Sequence, residues 1–101
     1  SDKNTDYIKL FAAAEKYNII PLCNLCLNKL NKEIITLNNF CQHLSFLQRY
    51  SHINNKLMEQ FEHKLFDFVT ENYNKCCKES AFDEFCVRNP KLMQKLLSWM
   101  D

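Results

Sequence analysis

Apolar residues recur along the whole chain at intervals of three and four positions, the spacing that places them on one face of an α-helix. The first helix shows this stripe in Tyr7, Leu10, Phe11 and Ala14. Asp6 or Thr5 is suited to cap its N-terminus, and Asn18 is the best available substitute for a C-terminal glycine. Pro21 fits the first turn of a second helix that ends near Asn31, because a proline there loses no hydrogen bond.

Two longer helices are predicted in the middle of the chain. Thr36 is suited to cap the first, which extends to about Tyr50. Asn54 or Asn55 caps the second, which ends near Asn72 and has the widest apolar side, so we expect it to be the central and most buried element. Before this pair lies a connector with two apolar residues that are expected to be buried, Ile34 and Ile35.

The C-terminal third has a shorter pattern. Residues 73–79 form either an irregular turn or a short helix, and Ser80 is suited to cap the helix after it. Four of that helix's residues are predicted to point inward, Phe82, Phe85, Cys86 and Val87. Asn89 and Pro90 open a last helix in the order of an asparagine cap and a first-turn proline. Its apolar side is predicted to comprise Leu92, Met93, Leu96, Leu97 and Met100.

These elements predict an all-α fold. About six helices with short turns and no strand alternation are typical of antiparallel helical hairpins stacked on one another. A chain of 101 residues is too short for two independent cores. The helical pairs differ in length and share no motif, so they do not define a regular solenoid.

The amino-acid composition disfavours several classes of function. The chain has no glycine, whereas phosphate-binding loops, dinucleotide fingerprints and nucleophile elbows need glycine backbones, so we expect a protein that is not an enzyme. A net charge of +1 disfavours nucleic-acid partners and anionic membranes. No apolar run approaches the roughly 20 residues of a membrane span. The three histidines, His43, His52 and His63, have no serine or cysteine in a nucleophile–base order.

The redox state expected for the six cysteines indicates the cellular compartment of the protein. The polar start, residues 1–6, has no signal-peptide character, and a chain with 47% apolar residues can build a core without disulfides. We therefore expect reduced cysteines and an intracellular protein, cytoplasmic or nuclear. The missing initiator Met indicates a fragment of a longer chain.

The strongest metal candidate is Cys23-x-x-Cys26 together with Cys41 and His43. Both members of the Cys-x-x-Cys pair lie within an apolar helical stripe, so core packing is favoured over a zinc site or a redox dithiol, and no cofactor or metal is expected.

Two further features each have two interpretations. The adjacent pair Cys76–Cys77 lies beside Lys75 and Lys78, and it is either oxidation-prone or an incidental pair of surface thiols. Near the end, Trp99 and Met100 are either an exposed partner anchor or part of the last helix's core side.

Several short motifs occur in a recognisable order. They are an Ala-rich helix ending in Lys16-Tyr17 with Leu22 and Cys26 after it, Thr36-Leu37-Asn38-Asn39, Phe68-Val69-x-x-Asn72, Phe82-x-x-Phe85 and Asn89-Pro90-x-Leu92. The order resembles the closing helices of a BTB/POZ domain followed by a three-box or BACK domain, as in speckle-type POZ, BTB–ankyrin or BTB–RCC-repeat proteins. The resemblance assigns residues 1–31 to the BTB-like helices and residues 32–101 to a BACK-like domain.

The resemblance implies a non-catalytic substrate adaptor for a cullin-three-type ubiquitin ligase. The helical pair at 36–50 and 54–72 would help to grip the cullin scaffold, and the region would self-associate. The BTB sheet is absent from these residues, and the link at 51–55 is longer than in speckle-type proteins. The alternative is an architectural homo-oligomerisation module with no ligase role, because a fold does not by itself define a function.

A contact face for such a partner is predicted on the third helix. Protein-binding surfaces combine a few apolar anchors with a polar rim that is poor in lysine. The residues predicted to form this face are Gln42, Ser45, Phe46, Gln48 and Arg49.

Overall fold

Seven α-helices account for most of residues 5–101, the part of the chain that the computed structural model describes. They are α1 (Tyr7–Lys16), α2 (Ile20–Lys32), α3 (Phe40–Arg49), α4 (Lys56–Glu71), α5 (Tyr73–Cys76), α6 (Ser80–Arg88) and α7 (Pro90–Met100). No strand occurs in 5–101, so the predicted all-α class is confirmed. The first four residues of the polar start considered above lie outside the described residues.

The first hairpin forms as its capping residues predict. The Asp6 carboxylate accepts hydrogen bonds from the backbone N–H groups of Ile8 and Lys9, both at 3.1 Å, and so caps α1. Asn18 ends the helix in the left-handed region with φ of 56°. The chain then turns into α2, which carries its proline in the first turn, and α1 packs along α2.

The third helix begins later than predicted. Residues 36–39 form a turn, and α3 starts at Phe40. The Asn39 side chain closes this turn, since its carbonyl oxygen accepts from the Thr36 N–H at 2.8 Å and its amide donates to the Ile34 carbonyl at 3.0 Å. In this connector Ile34 is 81% exposed, so the expectation that it is buried was wrong, whereas Ile35 packs partly against the core.

Helix α4 is the central element, as predicted. The Asn55 side-chain oxygen caps it by accepting from the Leu57 N–H at 2.7 Å, and the helix ends at Glu71, one residue before Asn72. It packs against α2, α3, α5 and α7. Its fully or almost fully buried side chains are Met58, Phe61, Leu65, Phe66 and Val69.

In the C-terminal third one predicted cap was wrong, and a second was predicted at the correct position but its side chain does not make the capping bond. Residues 73–76 form the short helix α5, and Ser80 is the first residue of α6, preceded by Glu79 in the capping position with no side-chain cap. Asn89 occupies the capping position of α7 and Pro90 its first turn, as predicted. The Asn89 side chain does not cap α7, because its amide donates to the Phe85 carbonyl at 2.9 Å at the end of α6. The Asn89 side chain lies between two helices and can bond either the end of α6 or the start of α7. The sequence does not indicate which of these two bonds forms.

Two apolar residues predicted to face the core are exposed, Val87 (83%) on α6 and Leu97 (51%) on α7. The cause is helical geometry, because successive residues are rotated by about 100°. The buried residues Phe82 and Phe85 define the inner face of α6, and Val87, two positions beyond Phe85, is directed away from it. On α7, Leu92 and Leu96 are buried, and Leu97 lies outside their stripe.

Candidate protein-binding surface

Helix α3 presents a narrow polar ridge at the protein surface. Gln42, Ser45 and Arg49 are exposed and lie at helical positions i, i+3 and i+7, so their side chains share one face. Gln48 is half-buried beside them. The structure therefore places three of the five predicted contact residues on one line, which we call the α3 ridge (Gln42, Ser45 and Arg49).

Phe46, the apolar member of the predicted contact face, is only 3% exposed. Its ring contacts those of Phe11 and Tyr50, with centroids 5.2 and 5.3 Å away, and that of Phe61 at 5.9 Å. It belongs to an aromatic cluster where α1, α3 and α4 meet. Phe46 thus supports the ridge from beneath, and the expectation that it lies among the exposed residues was wrong.

A shallow groove of about 230 Å³ separates the ridge from α1. Ile8, Lys9 and Ala12 contribute its α1 side. On the α3 side, the Arg49 guanidinium carbon lies 5.6 Å from the centroid of the Tyr50 ring. The groove combines apolar walls with two cations, a combination suited to a partner segment that carries carboxylates.

A second groove of about 360 Å³ separates the ridge from α6. Its walls include Cys41 and Phe85, and its outer edge carries the ion pair between Arg88 and Glu84, with nitrogen and oxygen 2.8 Å apart. Since these two charges balance each other, the positive character of this surface is confined to the α1 side.

A buried polar network holds α3 in place. His43 is 2% exposed, and its Nδ1 lies 2.7 Å from the Asn39 carbonyl oxygen while its Nε2 lies 3.2 Å from the Glu33 carboxylate. The Lys64 ammonium donates to the carbonyls of Asn31 and Glu33 at the end of α2. Burial lowers the pKa of Lys64, and the Glu33 carboxylate opposes that effect. The network connects α2, α3 and α4, and nothing in the sequence spacing indicated it.

The candidate metal set does not assemble. His43 is engaged by Glu33, and Cys26 is fully buried in the core while Cys23 and Cys41 are half-buried. Burial is the largest cause that raises the pKa of the Cys23 and Cys26 thiols. Within residues 5–101 no group of three or more histidine, cysteine or acidic side chains is arranged to hold a metal ion. Cys26 therefore packs as an apolar side chain.

The turn between α1 and α2 and the first half of α2 expose four apolar side chains that the sequence analysis did not single out. Their exposed fractions are 68% for Tyr17, 45% for Ile19, 59% for Ile20 and 48% for Leu25, and we call them the apolar corner. The first three are close in sequence and fall on no single helical stripe, which is the signal that would have identified them. Several exposed apolar residues within one short segment are typical of protein-contact sites.

Trp99 is 40% exposed, but its side chain packs against α4. Its ring stacks on His63 with centroids 4.7 Å apart, and its Nε1 donates to the Asp67 carboxylate at 3.0 Å. The neighbouring Met100 packs partly against the core. Trp99 thus combines both interpretations given above, because one side of its ring packs on the domain and the rest faces solvent.

Comparison with known proteins found no matching family model, no matching curated protein and no matching solved structure. None of the helices in the described part of the chain is long and apolar enough to cross a membrane.

Proposed function

We propose that this chain is a non-catalytic protein-interaction module. The observation that carries the proposal is the apolar corner, where Tyr17, Ile19, Ile20 and Leu25 leave apolar surface uncovered along the α1–α2 turn and the first half of α2. A protein partner that covers this surface would gain the free energy of apolar burial, roughly 25 cal/mol per Å² before the costs of association.

The specific role that we propose is the BTB-associated and BACK-like part of an intracellular substrate adaptor for a cullin-three-type ubiquitin ligase. Its support is the order of motifs in the sequence together with the pair α3 and α4, which lies within the segments 36–50 and 54–72 that the resemblance assigns to scaffold binding. The α3 ridge lies on that pair between two grooves, and the groove beside α1 has mainly apolar walls.

Binding through the α3 ridge would combine shape with charge. A partner helix would place apolar side chains in the groove beside α1 and an acidic side chain near Lys9 and Arg49. The network of Glu33, His43 and Lys64 beneath would keep the ridge rigid, so little ordering entropy would be lost on binding.

Calorimetric titration of the chain with the N-terminal domain of cullin-three tests this role. We expect Arg49→Glu to weaken binding about tenfold or more, equivalent to ~1.4 kcal/mol, because it places a like charge against the acidic partner segment. The matched control is Lys91→Glu, which makes the same change of charge at an exposed position of α7 and should leave affinity unchanged. Absence of binding by the native chain, or equal losses in both variants, would overturn the scaffold-binding role.

The second candidate function is homo-oligomerisation through the apolar corner, which is the surface that a second copy would bury. Light scattering across a concentration series tests it, with dimer mass expected for the native chain at high concentration. Ile20→Lys should restore the monomer mass, whereas Leu97→Lys, an equally exposed apolar residue on α7, should not. A native chain that stays monomeric throughout would rule this function out.

A further inference from the structure

Ile34 is exposed on a connector whose backbone is held on both sides by hydrogen bonds. The Lys64 ammonium donates to the Glu33 carbonyl, and the Asn39 amide donates to the Ile34 carbonyl at 3.0 Å. The next residue, Ile35, packs partly against the core. These contacts fix the connector, so the Ile34 side chain, 81% exposed, is presented to solvent from a rigid backbone.

A hollow of about 530 Å³ lies beside Ile34, between the start of α1 and the end of α2, and we call it the Ile34 hollow. It is larger than the grooves of about 230 and 360 Å³ that flank the α3 ridge. Thr5 and Tyr7 line it on the α1 side, and Asn39 lines it at the start of α3. An exposed aliphatic side chain next to a hollow gives a partner both an apolar contact and a recess to fill.

The walls of the Ile34 hollow carry more positive than negative charge. Lys29 and Lys32 line it from the last turn of α2, and Glu33 is its acidic residue in the described part of the chain. The Glu33 carboxylate lies 3.2 Å from Nε2 of the buried His43, so it is already engaged on the side of the core. This balance of charge favours a partner that carries carboxylates.

The Ile34 hollow is separate from the part of the α3 ridge that carries Arg49. Asn39 immediately precedes α3 and Arg49 is its last residue, and ten helical residues span about 15 Å. A short partner segment in the hollow therefore leaves Arg49 uncovered.

We propose that the Ile34 hollow binds an acidic segment of a partner protein in which an apolar residue is flanked by carboxylates. In the complex the apolar side chain packs on Ile34 and enters the hollow, and the carboxylates lie beside Lys29 and Lys32. Because hydrogen bonds already hold the connector, the segment meets a preformed surface and little ordering entropy is lost on binding. This site goes beyond the proposed function, since it needs neither Arg49 nor the apolar corner.

Titration of the isotope-labelled native chain with a synthetic peptide, followed by two-dimensional NMR, tests the proposal. The probe is a blocked pentapeptide with a central leucine and two glutamates on each side. We expect saturable amide shifts that concentrate at residues 29–39. Two control peptides, one with lysines in place of the glutamates and one with glycine in place of the leucine, should each bind about tenfold more weakly or not at all.

Single substitutions locate the site. Lys32→Glu should weaken binding of the probe about tenfold, because it places a like charge beside the carboxylates, and Ile34→Ala should weaken it about fivefold by removing the apolar contact. The matched controls are Lys91→Glu and Val87→Ala, whose side chain is 83% exposed, and both should retain native affinity. Arg49→Glu should also retain it, which separates this site from the α3 ridge.

Three outcomes would overturn the proposal. They are the absence of saturable shifts at residues 29–39, equal binding of either control peptide, or loss of binding in Arg49→Glu with retention in Lys32→Glu. The NMR spectrum of each variant without peptide shows whether it is folded, so that lost binding in a folded variant reports on the surface alone.

Discussion

Replacing Phe61 by alanine is expected to destabilise the domain by about 3–5 kcal/mol, the usual cost of removing a fully buried phenylalanine. Phe61 is 0% exposed on the central helix α4. Its ring packs against those of Phe46 at 5.9 Å and His43 at 5.4 Å, so the cavity would open where α3 rests on α4. Since small domains have a total stability of about 5–15 kcal/mol, this loss is a large fraction of it.

Urea denaturation followed by circular dichroism measures this effect. The control is Leu97→Ala, which removes apolar atoms from a side chain that is 51% exposed and should cost less than about 1 kcal/mol. If both variants lost similar stability, Phe61 would not occupy the closed core described above. The α3 ridge would then lack the rigid support that its proposed role requires.

The stability of the domain is expected to depend on the buried thiol of Cys76 at alkaline pH. Cys76 is 0% exposed, and burial, followed by the neighbouring Cys41, Cys77 and Glu79, raises its pKa from 9.0 to about 11. In the unfolded chain the thiol loses its proton near pH 9, whereas in the folded protein it keeps it until about pH 11.

The direction of this pH effect follows from the number of protons that Cys76 binds in the folded and unfolded states. Between pH of about 9 and about 11 the folded state holds more protons at Cys76 than the unfolded state, so its contribution to stability is complete below this window and is lost as pH rises through it. The loss amounts to about 2 kcal/mol by the upper end of the window. Lys64 acts in the opposite direction, because burial lowers its pKa, and the Cys76 contribution must therefore be isolated by mutation.

Cys76→Ala isolates this contribution. The difference in unfolding free energy between the native chain and Cys76→Ala should shrink by about 2 kcal/mol from neutral pH to the upper end of the window, measured in urea with a reducing agent present. Val69→Ala, another buried position but without an ionisable group, should show a constant difference. A Cys76→Ala difference that does not change with pH would mean that the folded protein does not bury this thiol.

The features that could be predicted from the sequence depend on interactions between residues a few positions apart. The caps at Asp6 and Asn55 depend on side chains only two or three positions from the N–H groups they serve, and each was one of two candidates that the sequence offered. The helix end at Asn18, which has a left-handed backbone, was also predicted. The same holds for the apolar stripe of α4, whose period reflects the helix itself. Where one side chain had two possible local partners, as Asn89 did, the predicted position in the helix was correct but the predicted side-chain bond was not.

The sequence by itself determined the all-α class, the order of the helices and the central position of α4, because helical period and capping act over a few residues. Only the tertiary structure decided which face of each helix is exposed to solvent. It buried Phe46 beneath the α3 ridge, exposed the apolar corner, and joined Glu33, His43 and Lys64 in one network. These features depend on contacts between residues far apart in the chain, and such contacts leave no periodic trace in it.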